Sequence, residues 1–196
     1  MPTVAPPPVS DEPRERLFTV DEYYAMARAG ILGPEDRVEL IEGRIVAMSP
    51  IGHRHASSVS RLTRFFVRHA DAFAVVWIQS PVRLSTRTEP EPDLALLVPK
   101  DAYAARHPRP EEVLLLIEVA DTTLAYDRDT KLPLYAREGV REVWIVALPE
   151  ERVHVYRRPT PEGYAEHAVF ERGAALRAGA LPEDVPPLPI EVALGP

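Results

Sequence analysis

The sequence predicts a mixed α/β fold in which helices pack on a central β-sheet. Three segments support this expectation. The run 113–120 is apolar except for Glu118, as expected for a central strand that is covered on both faces. Segment 53–73 repeats its apolar side chains at the 3.6-residue period of a helix, and segment 37–48 alternates polar and apolar residues, as a β-hairpin does.

The length and composition are those of one ordinary folded domain. The chain has 196 residues, of which 45% are hydrophobic and 27% charged, and it contains no cysteine. These values exclude a chain that is disordered throughout, a disulfide scaffold, a thiolate zinc site and a cysteine nucleophile. No apolar run approaches the ~20 residues that span a bilayer, and no secretory signal is recognisable, so we expect a cytoplasmic protein without a membrane partner.

The overall charge limits the class of nucleic-acid binder that the chain could be. The formal net charge is -7, with 30 acidic and 23 basic side chains. Tight, non-specific binding to nucleic acid comes largely from neutralising phosphates, so dedicated binders are usually basic. The charge therefore argues against such a binder, but it is compatible with an enzyme whose acids hold metal and whose basic residues cluster locally.

The placement of proline sets the expected domain limits. Five of the 22 prolines lie in residues 1–13 and five more in 182–196. Such segments are typically extended or poorly ordered. We therefore expect a single domain over 15–180, a flexible proline-rich N-terminus over 1–14 and a proline-rich C-terminal tail over 181–196.

Local signals predict the remaining elements. Thr19 and Glu22 form a capping box for a helix that runs to Ala29, and the hairpin is expected to turn at Glu42 and Gly43. Short strands separated by prolines are predicted at 75–78, 82–84 and 94–98. A later helix is predicted at 127–138, with a kink or break at Pro133. Two further strands are predicted at 143–148 and 153–156, and they are expected to form a hairpin.

Two acids in apolar surroundings are candidates for a metal site. A bare carboxylate in a core is costly, so Glu118 must be neutralised, paired or metal-bound. Asp93 opens another apolar strand, and two carboxylates on neighbouring strands can hold one Mg²⁺ or Mn²⁺ ion through oxygen ligands. The alternatives are that Glu118 pairs with an arginine at a strand end and that Asp93 is a turn residue after Pro92.

Glu39 and Lys131 extend this candidate set. Glu39 in the hairpin offers a third carboxylate. Lys131, in the helix after Glu118, could orient a water molecule and offset negative charge on a scissile phosphate. A surface ion pair between Lys131 and Asp127, one helical turn earlier, is the simpler alternative.

These residues lie in four stretches that resemble, in order and spacing, the Uma-two-type restriction endonucleases of the PD-(D/E)XK nuclease superfamily. The stretches are 38–50 with His55, Glu91-Pro92-Asp93-Leu94, 116–135 and 139–146. The resemblance covers about residues 17 to 160. It implies a restriction-endonuclease-like core, which is a mixed central sheet flanked by helices, with an N-terminal helix and a β-hairpin.

The resemblance also implies roles for individual residues. Asp93 and Glu118 match the metal-binding acids of the family, and Glu39 matches an accessory acid. The superfamily's lysine stands two residues after the second acid, where this chain has Ala120, so Lys131 is the implied replacement. The implied catalytic set is therefore Glu39, Asp93, Glu118 and Lys131, with Mg²⁺ or Mn²⁺ as the cofactor.

The implied function is metal-dependent hydrolysis of DNA phosphodiester bonds by an endonuclease that uses a metal-activated water molecule. A homodimer is expected, because many nucleases pair to cut two strands. One alternative is a catalytically inactive module that keeps the nuclease fold and binds nucleic acid or protein, which the net charge and Ala120 favour. Another is a dimerising structural protein in which Trp144, Tyr156 and the prolines build an interface.

The helix at 53–73 carries a basic stripe that is recognisable without the resemblance. Four of its basic residues share one side of the helical wheel and form a candidate phosphate track, namely Arg54, Arg61, Arg64 and Arg68. The alternatives are a solvated helix face and pairing with acids of a partner subunit. His55 lies on the apolar arc, so we expect a satisfied core histidine that points toward the hairpin rather than a metal ligand.

Overall fold

The computed structural model describes residues 15–33 and 35–195, so the predicted N-terminal segment 1–14 lies outside the described residues. The elements are, in chain order, α1 (Val20–Arg28), β1 (Val38–Ile41), β2 (Arg44–Ala47), α2 (His53–Ala70), β3 (Val75–Ile78), β4 (Leu94–Leu97), β5 (Val113–Ala120), α3 (Leu124–Tyr126), α4 (Leu132–Arg137), β6 (Glu142–Ala147), β7 (Arg152–Thr160), β8 (Gly163–Phe170), β9 (Ala175–Leu176), β10 (Leu188–Pro189) and α5 (Ile190–Leu194). Among the described residues, no helix is both long enough and apolar enough to cross a membrane.

The predicted mixed sheet is present. Six strands lie in the order β3-β4-β5-β6-β7-β8, and β5 and β6 are its parallel pair, while the other neighbours are antiparallel. A parallel pair needs a crossover connection, which residues 121–141 supply with α3 and α4. Strands β1 and β2 form a separate hairpin that turns at Glu42 and Gly43, both at positive φ, as a two-residue hairpin turn requires.

The two faces of the sheet bury different helices. Leu115, Ile117 and Val119 of β5 pack in a cluster with α2 and α5, whereas Leu116 and Ala120 pack in a cluster with α4. Since alternate residues of a strand point to opposite faces, Glu118 points to the α4 face. The apolar run therefore carries its acid toward the crossover connection.

The predicted strand at 82–84 is absent. Val82 and Leu84 are buried, but their backbone N–H groups donate to the carbonyls of Pro90 and Thr88, both at 3.0 Å. The segment thus folds back on itself as a loop. Pro90 has no N–H group to donate to a neighbouring strand, so this segment cannot continue a β-sheet. Its apolar residues are buried in a loop instead.

The predicted helix 127–138 is broken at the expected place. Residues Asp127–Lys131 form a wide π-helical turn, and α4 begins directly after it at Leu132. Pro133 lacks the N–H group that would donate to the carbonyl one turn earlier, so a regular α-helix cannot run through this point. The wide turn places Lys131 at the junction, facing the sheet.

The C-terminal segment packs on the sheet instead of trailing away from it. Leu181, Leu188, Ile190 and Ala193 are all buried in the cluster beneath α2. The folded unit therefore extends beyond the limit of 180 that the sequence predicted. Proline restricts the backbone but does not prevent the apolar residues between prolines from being buried.

The two residues proposed for a structural dimer interface lie inside the chain. Trp144 is completely buried and donates its indole N–H to Glu142 Oε1 at 2.7 Å. Tyr156 is buried as well and packs in the α4 cluster. Neither aromatic side chain is therefore available as the main contact of a dimer.

Candidate active site

A cavity of about 730 Å³ opens at the C-terminal end of β5, between the β1–β2 hairpin, the start of α2 and the turn before α4. Its lining carries many more acids than bases. The acids are Glu39, Glu91, Asp93, Glu118, Asp121 and Asp127, and the basic side chains are Arg37, His55 and Lys131. This excess of negative charge favours the binding of a cation.

The structure brings Asp93 and Glu118 together. Leu94 pairs with Ile117, so the preceding Asp93 lies opposite Glu118, and opposite residues of antiparallel strands point to the same face. The Val119 N–H donates to Asp93 Oδ2 at 2.8 Å, and the Asp93 N–H approaches Glu118 Oε2 at 3.4 Å. Each carboxylate is thus tied to the backbone of the neighbouring strand.

Lys131 lies between two of the predicted acids. Its Nζ is 3.3 Å from Glu118 Oε1 and 3.1 Å from Glu39 Oε2. The Tyr135 hydroxyl also donates to Glu118 Oε1, at 2.5 Å. The partners of Glu118 are therefore a lysine and a tyrosine rather than an arginine, and Lys131 faces the site rather than solvent.

Glu39 reaches the cavity because the hairpin is fastened to the segment before β4. Leu40 forms a bridge with Glu89, and the Glu91 N–H donates to Glu39 Oε2 at 3.1 Å. The Tyr126 hydroxyl lies 3.4 Å from Glu39 Oε1. Burial raises the pKa of Glu91, and the charge of Glu39 adds to this effect.

Burial controls the protonation of the site. It raises the pKa of Glu118 to about 8, with Asp127 and Asp93 adding to the shift and Lys131 opposing it. Burial also lowers the pKa of Lys131, but Glu118 and Glu39 outweigh this and raise that pKa overall. Lys131 is therefore charged at neutral pH, and a proton competes with a metal ion for Glu118.

His55 is a site residue that the sequence did not predict. It lies in the first turn of α2, and its Nε2 is 2.9 Å from Asp93 Oδ1. This hydrogen bond raises the pKa of His55, while burial opposes the shift. Its Nδ1 is buried and has no partner among the described residues. The sequence predicted a core histidine with its hydrogen bonds satisfied. In the structure only one ring nitrogen, Nε2, has a partner, and that partner is the candidate metal-binding acid Asp93.

The basic stripe of α2 divides into two pairs. Arg54 donates to the Leu148 carbonyl at 2.9 Å, and Arg61 donates to two carbonyls of α5. Arg64 and Arg68 are exposed. Only the second pair is therefore free to contact phosphate in the way that the sequence suggested.

Carboxylates are suitable ligands for a hard divalent cation. In the described part of the chain, however, no group of three or more acidic or histidine side chains is arranged to hold a metal ion. Both oxygens of Asp93 and Oε2 of Glu118 have one donor each and keep a lone pair for a cation, whereas Glu118 Oε1 already accepts from Lys131 and Tyr135. Mg²⁺ is commonly held by one or two carboxylates, with water and substrate phosphate completing its shell. The donor set therefore fits Mg²⁺ or Mn²⁺, with Asp93 and Glu118 as the protein ligands.

A six-stranded mixed sheet flanked by helices, with facing acids at the end of adjacent strands, is the architecture of a restriction-endonuclease-like α/β protein. A solved structure with a similar fold is a putative nuclease belonging to DUF820 from Anabaena variabilis. It is 18% identical, covers 90% of this chain and 97% of its own, and superposes with a TM-score of 0.66.

The family follows from the sequence match. The model of the Uma2 family, described as "Putative restriction endonuclease", matches residues 20–191, and the chain belongs to this family. The resemblance inferred from the four stretches is therefore confirmed. A comparison with curated proteins finds no match.

Proposed function

We propose that this chain is a divalent-metal-dependent endonuclease that hydrolyses DNA phosphodiester bonds. The observation that carries the proposal is the pairing of Asp93 with Glu118 across β4 and β5, at the floor of an acidic cavity. Family membership supports nuclease activity. The metal, the DNA substrate and the residue roles are argued from the contacts of the site.

Each catalytic side chain has a distinct role in this proposal. Asp93 and Glu118 hold the Mg²⁺ or Mn²⁺ ion, which when bound supplies an activated water molecule and neutralises charge on the phosphate. Lys131 offsets the negative charge that develops on the phosphate during attack. Glu39 shares Lys131 with Glu118 and so fixes the position of its Nζ.

One observation favours the second candidate, a nuclease-fold module that binds without cleaving. Ala120 occupies the position of the superfamily's usual lysine, and Lys131 is already engaged by two carboxylates. Such a module would retain the fold and the exposed arginines. It would show no metal-dependent hydrolysis.

Titration with Mn²⁺ and nicking of supercoiled DNA distinguish these two candidates. The wild-type protein should bind Mn²⁺ in calorimetry, and Mg²⁺-dependent nicking should stop when EDTA is added. Because Glu118, with its pKa of about 8, must release a proton to bind metal, the affinity should rise by roughly tenfold per pH unit from pH 6 toward pH 8 and then level off. Absence of both binding and nicking would instead support the inactive module.

The exposed arginines of α2 predict how DNA binding depends on salt. Replacing both Arg64 and Arg68 by alanine should weaken DNA binding and lower the slope of log affinity against log salt by about 1 per arginine, with the melting temperature unchanged. Arg61→Ala serves as the comparison, because it removes hydrogen bonds to α5. This variant should lower the free energy of unfolding by roughly 1–2 kcal/mol. An unchanged salt slope in the double variant would contradict the phosphate track.

A further inference from the structure

We infer that His55 is a positioning residue for the metal site, whose Nε2–H holds the Asp93 carboxylate in the orientation that binds the cation. The inference rests on the proposed function, since it assigns Asp93 as a metal ligand. It concerns a side chain that comes from α2, a different element from those that carry the acids and the lysine.

The carboxylate of Asp93 is held from two sides. The Val119 N–H donates to Oδ2 at 2.8 Å, and His55 Nε2 lies 2.9 Å from Oδ1. With both oxygens fixed, neither torsion of the Asp93 side chain is free to turn. Each oxygen still has a lone pair for a cation. Outer partners of this kind orient metal-binding carboxylates, and their loss typically weakens metal affinity or activity by about 10–100-fold.

The other nitrogen of His55 shows why the residue is a positioning group rather than a ligand. Nδ1 is buried and without a partner among the described residues, so a cation in the cavity cannot reach it. Nε2 is taken up by Asp93. The imidazole thus acts on a metal through the carboxylate alone.

The unpartnered Nδ1 also argues against a purely structural role. A buried polar atom without a hydrogen bond carries a desolvation penalty. His55 lies among the apolar positions of α2, where an aliphatic side chain would fill the same space without this penalty. The feature that an aliphatic residue would lack is the hydrogen bond to Asp93.

Two amide substitutions test this hydrogen bond separately from side-chain size. In His55→Gln the amide nitrogen lies at about the same distance from Cβ as Nε2, so it can donate to Asp93. In His55→Asn the amide lies at the position of Nδ1 and cannot reach. Mn²⁺ calorimetry at pH 8 should give an affinity close to wild type for His55→Gln and a loss of about 10–100-fold for His55→Asn and His55→Ala. His69→Gln, near the other end of α2, is the matched control and should bind like wild type.

The outcomes separate this inference from the proposed function. Wild-type affinity in His55→Asn and His55→Ala would overturn the inference and leave the endonuclease proposal intact. An equal loss in His55→Gln and His55→Asn would also overturn it, because the loss would then not follow the donor. Absence of Mn²⁺ binding in the wild-type protein would overturn the proposed function together with the inference. Thermal melts without metal establish that each variant is folded.

Discussion

Asp93→Asn should reduce metal-dependent DNA cleavage by roughly a thousandfold or more, because it removes the charge of a ligand whose cation contributes several kcal/mol to the transition state. Asparagine preserves the side-chain volume and can still accept from the Val119 N–H, but its amide nitrogen cannot accept from His55 Nε2. Burial is the main reason why the pKa of Glu118 is raised, and the negative charges of Asp127 and Asp93 add to it because they repel the Glu118 carboxylate. Relief of this repulsion offsets the lost hydrogen bond from His55, so the free energy of unfolding of the metal-free variant should stay within about 1 kcal/mol of the wild-type value.

Plasmid nicking and urea unfolding in EDTA measure these two effects. Asp71→Asn is the control for loss of an acid, since Asp71 is exposed at the end of α2, and it should cleave at the wild-type rate. Metal-dependent nicking that survives in both Asp93→Asn and Glu118→Gln would refute the assignment of these acids.

Lys131→Met should produce the largest loss of stability of any variant considered. It leaves the buried Glu39 carboxylate, beside Glu118, without the cation that both acids share. Removing one partner of a buried ion pair typically lowers the free energy of unfolding by about 3–5 kcal/mol. DNA cleavage should be lost as well, because the ammonium group that offsets the charge developing on the phosphate is removed.

The stability loss in Lys131→Met should depend on pH. Burial raises the pKa of Glu118, and removing Lys131, which opposes that shift, raises it further. An acid whose pKa is higher in the folded state takes up a proton on folding, so its contribution to stability is lost as the pH rises. Wild type and variant should lose stability alike until the pH passes the wild-type pKa of about 8, so urea unfolding should show a larger loss at pH 9.5 than at pH 7. An equal midpoint for variant and wild type at pH 8 would contradict the buried triad.

The double variant Lys131→Met with Glu39→Gln separates the structural role of the lysine from its catalytic role. It also removes the Glu39 carboxylate that the loss of Lys131 strands, and it keeps both proposed metal ligands, Asp93 and Glu118. Stability should largely return at pH 8, because the remaining acid can hold a proton. Cleavage should remain lost. Recovery of cleavage together with stability would show that Lys131 acts on the fold alone.

Local signals predicted those elements that local interactions hold. The capping box of Thr19 and Glu22 is present at the start of α1, and the hairpin turns where the positive-φ pair was expected. Strand β8 was not predicted, because most of its side chains are exposed at the sheet edge and show no apolar alternation. The proline content of residues 181–194 predicted a tail outside the domain, but the apolar residues between these prolines are buried in the core.

The sequence by itself determined which residues needed a partner. An acid inside an apolar run must be compensated, and this requirement singles out Glu118 from the residue types around it. The sequence also determined the family, through four stretches of fixed order that lie within the matched residues 20–191. Both results follow from chemistry that a linear chain carries in its residue types and spacing.

Only the tertiary structure decided which partners those residues have. Strand register places Asp93 opposite Glu118, and the wide turn before Pro133 brings Lys131 between two acids. The contact of His55 with Asp93 joins a helix start to a strand 38 positions later in the sequence. These contacts depend on how separate elements pack together. The distance between the side chains is set by strand register and core packing, not by their spacing along the sequence.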